Sequence, residues 1–579
     1  MRKQTLLKGI PAAPGFAIGK AFILGSQELE VDKRSINESQ IPKEITRFEE
    51  ALIKTRSEIL DIQKKISKEM GVRHAQIFNA HLLVLEDRTL IEGVISRLKK
   101  EKLCVEYVFL QVLKKYIKTF SCIDDPYLRE RLSDIEDVGK RILRNLCGIH
   151  REILNNLKEK LIIVAYDISP SDTASMRKEK VMGFITDIGG KTSHTAIMAK
   201  ALEIPAVVGL EEATAKIRTG TTIIVDGTRG EVIVNPDRVT LHKYKQQSAK
   251  LLRQEQSLVK LRGLAAATKD GHKIELAANI ELPEELPSVI AHGAKGIGLY
   301  RTEYFYMNRS DLPSEDEHFE AYKKVSQEVK PHPVVIRTLD LGGDKFLSQL
   351  DMPQEMNPYL GWRAIRFCLA KPEIFKVQLR AILRASAYGE LKLMYPMISG
   401  IEELRQANQM LDEVKQELRR RKIRFDEDID VGAMIEIPSA ALTCDILAKE
   451  VDFFSIGTND LIQYSIAVDR VNEKIAYLYE PAHPAVLRLV KNIIDSGHKE
   501  KIWVGMCGEM ASEPAFALLL LGLGLDEFSV SPAAVPIIKR VIRSVTLRQA
   551  QDVACKAMRL TTGKDVEKFS KVKLKELVG

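Results

Sequence analysis

The chain has no Cys-x-x-Cys pair. Its seven cysteines, Cys104, Cys122, Cys147, Cys368, Cys444, Cys507 and Cys555, are odd in number and widely scattered. That pattern argues against a disulfide framework or structural zinc site and fits a reducing compartment. No secretory signal is predicted, because Lys8 and Pro11 interrupt any apolar core in MRKQTLLKGIPAAPG. The most apolar run, Ala515 to Leu525, is far short of a membrane span and ends at Asp526. Charge of one sign is also lacking. The net charge of +8 comes from 87 basic against 79 acidic residues, a mild excess that suits an anionic substrate without indicating nucleic acid. These absences predict a cytoplasmic protein, with neither nucleic acid nor membrane among its partners.

What is present describes an ordinary folded protein. Hydrophobic residues make up 45% and charged residues 29% of 579 positions, which excludes a disordered or fibrous chain and allows two to four domains. Residues 9–24 (GIPAAPGFAIGKAFIL) read as strand and turn. Beyond residue 30, Ile45, Phe48, Leu52, Ile59, Ile62 and Ile66 recur at three-four spacing, which predicts one apolar face on a long amphipathic helix. Helical periodicity continues to about Cys147. Strand patterns return at Leu161–Ala165, Val181–Thr186 and Pro205–Val208. A hairpin is predicted in TTIIVDGTRGEVIV, with its turn at Asp226-Gly227 and Gly230. An α/β unit therefore begins near residue 9, hosts a helical insertion and resumes near 160. Residues 236–262 read as a polar, basic linker helix.

The second half is more regular. Short β-type runs recur at 274–280, 296–300, 334–339, 391–396, 431–437, 453–457, 502–506 and 527–530, with helical stretches between most of them. Eight alternating units in about 300 residues match a closed (β/α)8 barrel. An open doubly wound sheet would have fewer strands and a Gly-rich nucleotide loop after the first, which is absent.

In such a barrel, chemistry sits at the carboxyl ends of the strands. Those ends carry Arg301, Arg337, Glu436, Asn459, Asp460 and Cys507. Singly, an arginine is a surface charge and a cysteine is core filling; six at one end of successive strands favour a site. Two carboxylates, Glu436 and Asp460, with no His or Cys at ligand spacing, suggest a hard cation such as Mg2+. Arginines around it imply a phosphorylated or carboxylated anion, so the pattern describes a small phosphocarboxylate poised for phosphoryl transfer.

The first half has its own signal, ITDIGGKTSHTAIMAKALEIPAVVG at 185–209. A strand runs into Gly189-Gly190, after which Thr192, Ser193, His194 and Thr195 open an apolar-faced helix. By itself this is a capping segment with an incidental histidine. Glycines permitting close approach, three hydroxyls and a distant anion site make it a candidate phosphoryl carrier at a helix start.

Taken together, these segments resemble Enzyme I of the bacterial phosphotransferase system, the phosphoenolpyruvate-protein phosphotransferase family. GGKTSHTAIMAKALEIPAVVG is similar to that family's phosphohistidine segment. GIGLYRTEYFYM, RTLDLGGDK, NPYLGWRAIR, IEIPSAA, SIGTNDLIQYSIAVDR and MCGEM are similar to its barrel signatures, in family order from residue 9 to at least Met510. The resemblance implies an α/β fold. An N-terminal swivelling phosphohistidine domain (1–30 and 151–235) would carry a helical domain (31–150) that binds the phosphocarrier protein HPr. A linker helix (236–262) and a C-terminal (β/α)8 TIM barrel (263–579) would follow, the barrel binding phosphoenolpyruvate and forming a homodimer.

By the same resemblance, His194 would be the phosphorylated nucleophile. Arg301, Arg337, Asn459, Asp460, Arg470 and Arg363 would bind phosphoenolpyruvate, and Glu436 and Asp460 would hold Mg2+. Cys507, with an ordinary thiol pKa of about 8.5, would protonate the enolate carbon to give pyruvate. Thr173 would partner His194, which would swing between barrel and HPr. IFNAHLLVLED (77–87) resembles an HPr-recognition region, in which Ile77, His81, Val84 and Leu85 share a helix face that serves either HPr docking or packing inside the bundle. Lys191 and Lys200 stand where the family has arginine, and Asn308 replaces an acidic residue. A dikinase or synthase using ATP shares the motifs but would need a further nucleotide-binding domain of some 200 residues. A non-catalytic regulatory paralogue would have lost His194, Cys507 or a metal carboxylate, and all are present.

Overall fold

Leu161–Ala165 reads LIIVA without a polar interruption because both faces of this strand are covered. Ile162 and Val164 join one apolar cluster, with Ile185 and Val207, while Ile163 and Ala165 join another, with Phe184 and Val208. Alternate residues of a strand point to opposite faces, so a strand buried on both sides reads as a continuous apolar run. The computed structural model describes residues 4–24, 31–70, 81–121, 126–148, 159–168, 180–190, 195–196, 199, 204–306, 311–341, 355, 357–470, 472 and 474–579. They fall into two compact units, Met1–Leu252 and Arg253–Gly579.

The sheet of the first unit comprises β1 (Thr5–Lys8), β2 (Ile10–Ala13), β3 (Phe16–Leu24), β4 (Leu161–Ala165), β5 (Val181–Thr186), β6 (Ala206–Val208), β7 (Thr222–Asp226) and β8 (Glu231–Val234). Its spatial order is β1-β8-β7-β3-β4-β5-β6-β2. Strands β3 to β6 run parallel, while β7 and β8 form the predicted antiparallel hairpin. The Asp226 carboxylate shapes that turn by accepting from the backbone N–H groups of Thr228 and Arg229 at 3.2 and 2.9 Å.

Between β3 and β4 the chain forms helices Ile41–Met70, Arg88–Glu101, Val105–Ser121 and Pro126–Cys147. Phe48 and Ile59 are buried and Ile45, Leu52 and Ile62 pack against the same core, so the predicted apolar face is the one that is covered. The side chain of Ile66 lies outside the described residues. Asp87 caps its helix by accepting from Thr89 and Leu90 N–H groups. Of the two readings left open for the face of His81, Val84 and Leu85, the structure shows internal packing. His81 and Leu85 are buried and Val84 packs against the bundle core, because the apolar face is used to hold the helices together. Ile77 lies outside the described residues. Helix Arg238–Val259 crosses the boundary between the two units.

In the second unit all eight expected strands are present: β9 (Glu275–Ile280), β10 (Ile297–Tyr300), β11 (Val334–Arg337), β12 (Leu391–Tyr395), β13 (Val431–Ile435), β14 (Phe453–Ile456), β15 (Trp503–Met506) and β16 (Glu527–Val530). They pair in parallel, and β16 closes onto β9 to complete a barrel. Most of the run Ala515–Leu525 lies in helix Pro514–Leu523, whose residues are almost all buried in the barrel's helical layer. It ends at Gly524, with φ of 100°. Among the described residues, no helix is long and apolar enough to cross a membrane.

Candidate active site

The barrel strands deliver the candidate residues to one end. Arg301 follows β10, Arg337 is the last residue of β11, Glu436 follows β13 and Cys507 follows β15. Asn459 and Asp460 lie in the first turn of helix Thr458–Ile466, directly after β14. Arg363 occupies the N-cap position of helix Ala364–Ala370.

These side chains form two adjoining groups. The first is a buried charge cluster organised by Asp340, a residue of the RTLDLGGDK motif that the sequence analysis did not single out. Asp340 pairs with Arg337 at 2.8 Å and with Arg363 at 2.8 Å. Arg337 also pairs with Glu303 at 2.7 Å, and Arg363 approaches Asp460 at 3.7 Å and the Tyr464 hydroxyl at 3.4 Å. Burial works against the Arg337 and Arg363 charges, but the carboxylates outweigh it and hold both guanidiniums above their ordinary pKa. Burial also works against the Asp340 carboxylate, yet Arg337 and Arg363 prevail and hold it below the usual range.

Glu436 and Asp460 behave differently. Burial pushes the Glu436 carboxyl well up, and the Asp460 and Asp340 charges push it further, against Arg337. Asp460 is likewise raised, by burial and then by Asp340. The Glu436 Oε1 accepts from the Met397 backbone N–H at 2.7 Å. Among the described residues, no group of three His, Cys, Asp or Glu side chains forms a ready metal cage. What Glu436 and Asp460 offer is a pair of hard oxygen donors that are costly to keep ionised without a cation nearby.

The second group lines a cavity of about 450 Å³ that includes Asn279, Glu281, Arg301, Cys507, Glu509 and Ser531. Arg301 is partly exposed there and pairs with Glu281 at 2.6 Å. Arg337, Arg363, Glu436 and Asp460 are not among the residues lining this cavity. Arg470 and Asn459 border it through Glu509: Arg470 approaches the Glu509 carboxylate at 3.8 Å, and the Asn459 Oδ1 accepts from the Glu509 N–H at 3.1 Å. Cys507 is buried, and burial pushes its thiol up from the ordinary value, against the Ser455 hydrogen bond and the Arg337 charge. This differs from the ordinary thiol of the sequence analysis, and the direction of the shift favours the protonated form. The next residue is glycine because a Cβ on Gly508 would lie 1.8 Å from Thr458 Oγ1 and 2.7 Å from its N.

In the first unit, β5 leads to Asp187 and then to Gly189, which has a φ of 118°. The Asp187 carboxylate accepts from the Ala213 N–H at 2.5 Å and from the Thr214 hydroxyl. Thr195 is buried and its hydroxyl donates to the Ile168 carbonyl at 3.3 Å, so one of the three expected hydroxyls serves the fold. His194, Thr173, Lys191, Lys200 and Asn308 lie outside the described residues.

Comparison with known proteins places this arrangement. Residues 255–547 match the profile of the PEP-utilising enzyme, PEP-binding domain. Residues 8–131 match that of the PEP-utilising enzyme, N-terminal, and 157–230 that of the mobile domain. A phosphoenolpyruvate-protein phosphotransferase of Staphylococcus carnosus is 47% identical over 98% of both chains. The chain belongs to the phosphoenolpyruvate-protein phosphotransferase family. Other members include that of Bacillus subtilis, 46% identical over 98% of this chain and 99% of its own, and that of Haemophilus influenzae, 45% identical over 97% and 98%. Among solved structures, an Enzyme I protein studied by NMR is 45% identical over 42% of this chain and 99% of its own, with a TM-score of 0.37; the family assignment rests on the full-length relatives.

Proposed function

We propose that the protein transfers the phosphoryl group of phosphoenolpyruvate to His194, releasing pyruvate, and then passes it to a histidine of HPr, the first step of the sugar phosphotransferase system. The observation that carries this reading is the convergence of Arg337, Arg363, Asp340 and Asp460 beside the Cys507 thiol at one end of the barrel. Substrate binding is assigned to Arg301, Arg337, Arg363, Asn459, Asp460 and Arg470. Guanidinium groups match phosphate and carboxylate oxygens bidentately, and Arg301 lines the same cavity as Cys507.

Glu436 and Asp460 would hold Mg2+, which when bound would neutralise charge on the transferring phosphoryl group. As the bridging P–O bond breaks, the His194 nitrogen gains the phosphoryl group and the enolate of pyruvate is left. Cys507 donates its proton to the enolate carbon; burial keeps the thiol protonated until that moment. The segments 1–30 and 151–235 would form the mobile phosphohistidine domain and 31–150 the HPr-binding domain. The linker 236–262 would lead to the barrel, 263–579, through which two copies associate in the cytoplasm.

The test is incubation with labelled phosphoenolpyruvate and Mg2+, followed by addition of HPr. An acid-labile, base-stable phosphoprotein should form and pass its label on, and His194→Ala should take up none. Label retained in that variant would overturn the assignment.

A further inference from the structure

Cys507 is held from two directions. Its carbonyl accepts from Asn279 Nδ2 at 3.0 Å, and the Asn279 Oδ1 in turn accepts from the Ser529 hydroxyl at 2.5 Å, tying the residue to β9 and β16. Its sulfur accepts a hydrogen bond from the Ser455 hydroxyl at 3.4 Å. Ser455 is 2% exposed and lies on β14, paired in register with Gly505, two residues before the cysteine. The thiol in turn donates to the Ile456 carbonyl at 3.9 Å, which also accepts from the Cys507 N–H at 3.2 Å, and the side chain otherwise packs in an apolar cluster with Leu299, Val335, Met394, Met434 and Phe453.

In such surroundings a thiol is a firm acid with a costly conjugate base. A buried serine is commonly a small space-filler whose hydroxyl bonds its own strand or helix. This one donates to the one sulfur that is placed to act on substrate. We propose that Ser455 is a positioning residue for the protonation step: its hydroxyl orients the Cys507 thiol and stabilises the thiolate left after the proton has gone. The inference rests on the reading of Cys507 as the acid. In the step, the S–H bond breaks and a C–H bond of the pyruvate methyl group forms. The electron pair stays on sulfur, and Ser455 keeps its own proton while donating a charge-assisted hydrogen bond. The thiolate then regains a proton from water in the cavity that Cys507 lines.

The experiment uses the full-length protein and its Ser455→Ala and Ser455→Thr variants. Alkylation by iodoacetamide is followed at the Cys507-containing peptide by mass spectrometry across pH, alongside pyruvate release. Loss of a hydrogen bond to a charged group should move the alkylation midpoint of Ser455→Ala upward by about one pH unit and slow pyruvate release about tenfold, with KM unchanged. Ser455→Thr, which keeps the hydroxyl, should retain the wild-type profile. An alanine profile that superimposes on wild type would overturn the proposal, as would a shifted profile with undiminished pyruvate release or a threonine variant that behaves like alanine. Cys507→Ser separates the two readings. Wild-type turnover in that variant would remove Cys507 as the acid, whereas slow turnover with an unmoved Ser455→Ala profile would remove Ser455 alone.

Discussion

Asp340 stands between two arginines, 2.8 Å from Arg337 through one carboxylate oxygen and 2.8 Å from Arg363 through the other. Both arginines are buried and the Asp340 side chain is only 5% exposed, so little water reaches these pairs. Asp340→Asn would leave two buried cations sharing a neutral amide. Breaking a buried pair by removing one partner costs about 3 kcal/mol or more. The variant should unfold at clearly lower urea concentration and bind phosphoenolpyruvate more weakly, which denaturation curves and the substrate KM would report. An unchanged urea midpoint would show that the arginines find other partners.

Cys507→Ser should lower pyruvate release by about a hundredfold, the scale of a lost general acid. A serine hydroxyl is a far weaker acid than even a buried thiol. Since the arginine cluster is untouched, phosphoenolpyruvate should still bind, so titration calorimetry and turnover should separate. Parallel losses in both would point to a structural role.

Glu436→Gln should raise the Mg2+ concentration needed for half-maximal labelling by roughly tenfold or more, because one of two hard anionic donors becomes a neutral amide. Burial and the nearby Asp460 and Asp340 carboxylates already push Glu436 well up, so the amide should also ease repulsion within the cluster. Thermal stability without added metal should therefore hold or rise. A fall in both metal response and metal-free stability would contradict this account.

Glu527, on β16, should make barrel stability depend on pH. Burial pushes its carboxyl up to about 7 from an ordinary 4.5, with Glu275 adding to the shift and Lys392 opposing it. Between these values the folded state holds a proton that the unfolded chain releases. Its contribution is thus complete below about pH 4.5 and is lost as pH rises through 7. Glu527→Gln, neutral at every pH, should remove this slope and exceed wild type by about 3 kcal/mol above pH 7. Urea unfolding at pH 5, 6, 7 and 8 would show it; parallel curves for the two proteins would refute it.

The barrel was legible because its signals are local. Eight β-type runs recur with helix-length spacers, and every one forms a strand within two residues or so of its expected span. The carboxyl-end rule then located Arg301, Arg337, Glu436, Asp460 and Cys507, since it depends only on where a strand stops. Asp340 escaped notice because an aspartate three residues after a strand has no distinctive spacing; its role comes from Arg363, which arrives from a different loop. The face shared by His81 and Leu85 went the other way. Helical spacing shows that residues share a face, and the same pattern serves a partner or the bundle's own core.

Sequence alone determined the closed barrel, the helical insertion between β3 and β4, and the identities of the groups proposed to bind an anion and a hard cation. Period and order along the chain encode those features. Tertiary structure alone decided how the charges are apportioned: which carboxylate neutralises Arg337 and Arg363, which pair is left under mutual repulsion, and how firmly Cys507 holds its proton. Those properties depend on burial and on distances between residues far apart in sequence, and both are set only when β9 closes against β16 and the strand ends are brought to one rim.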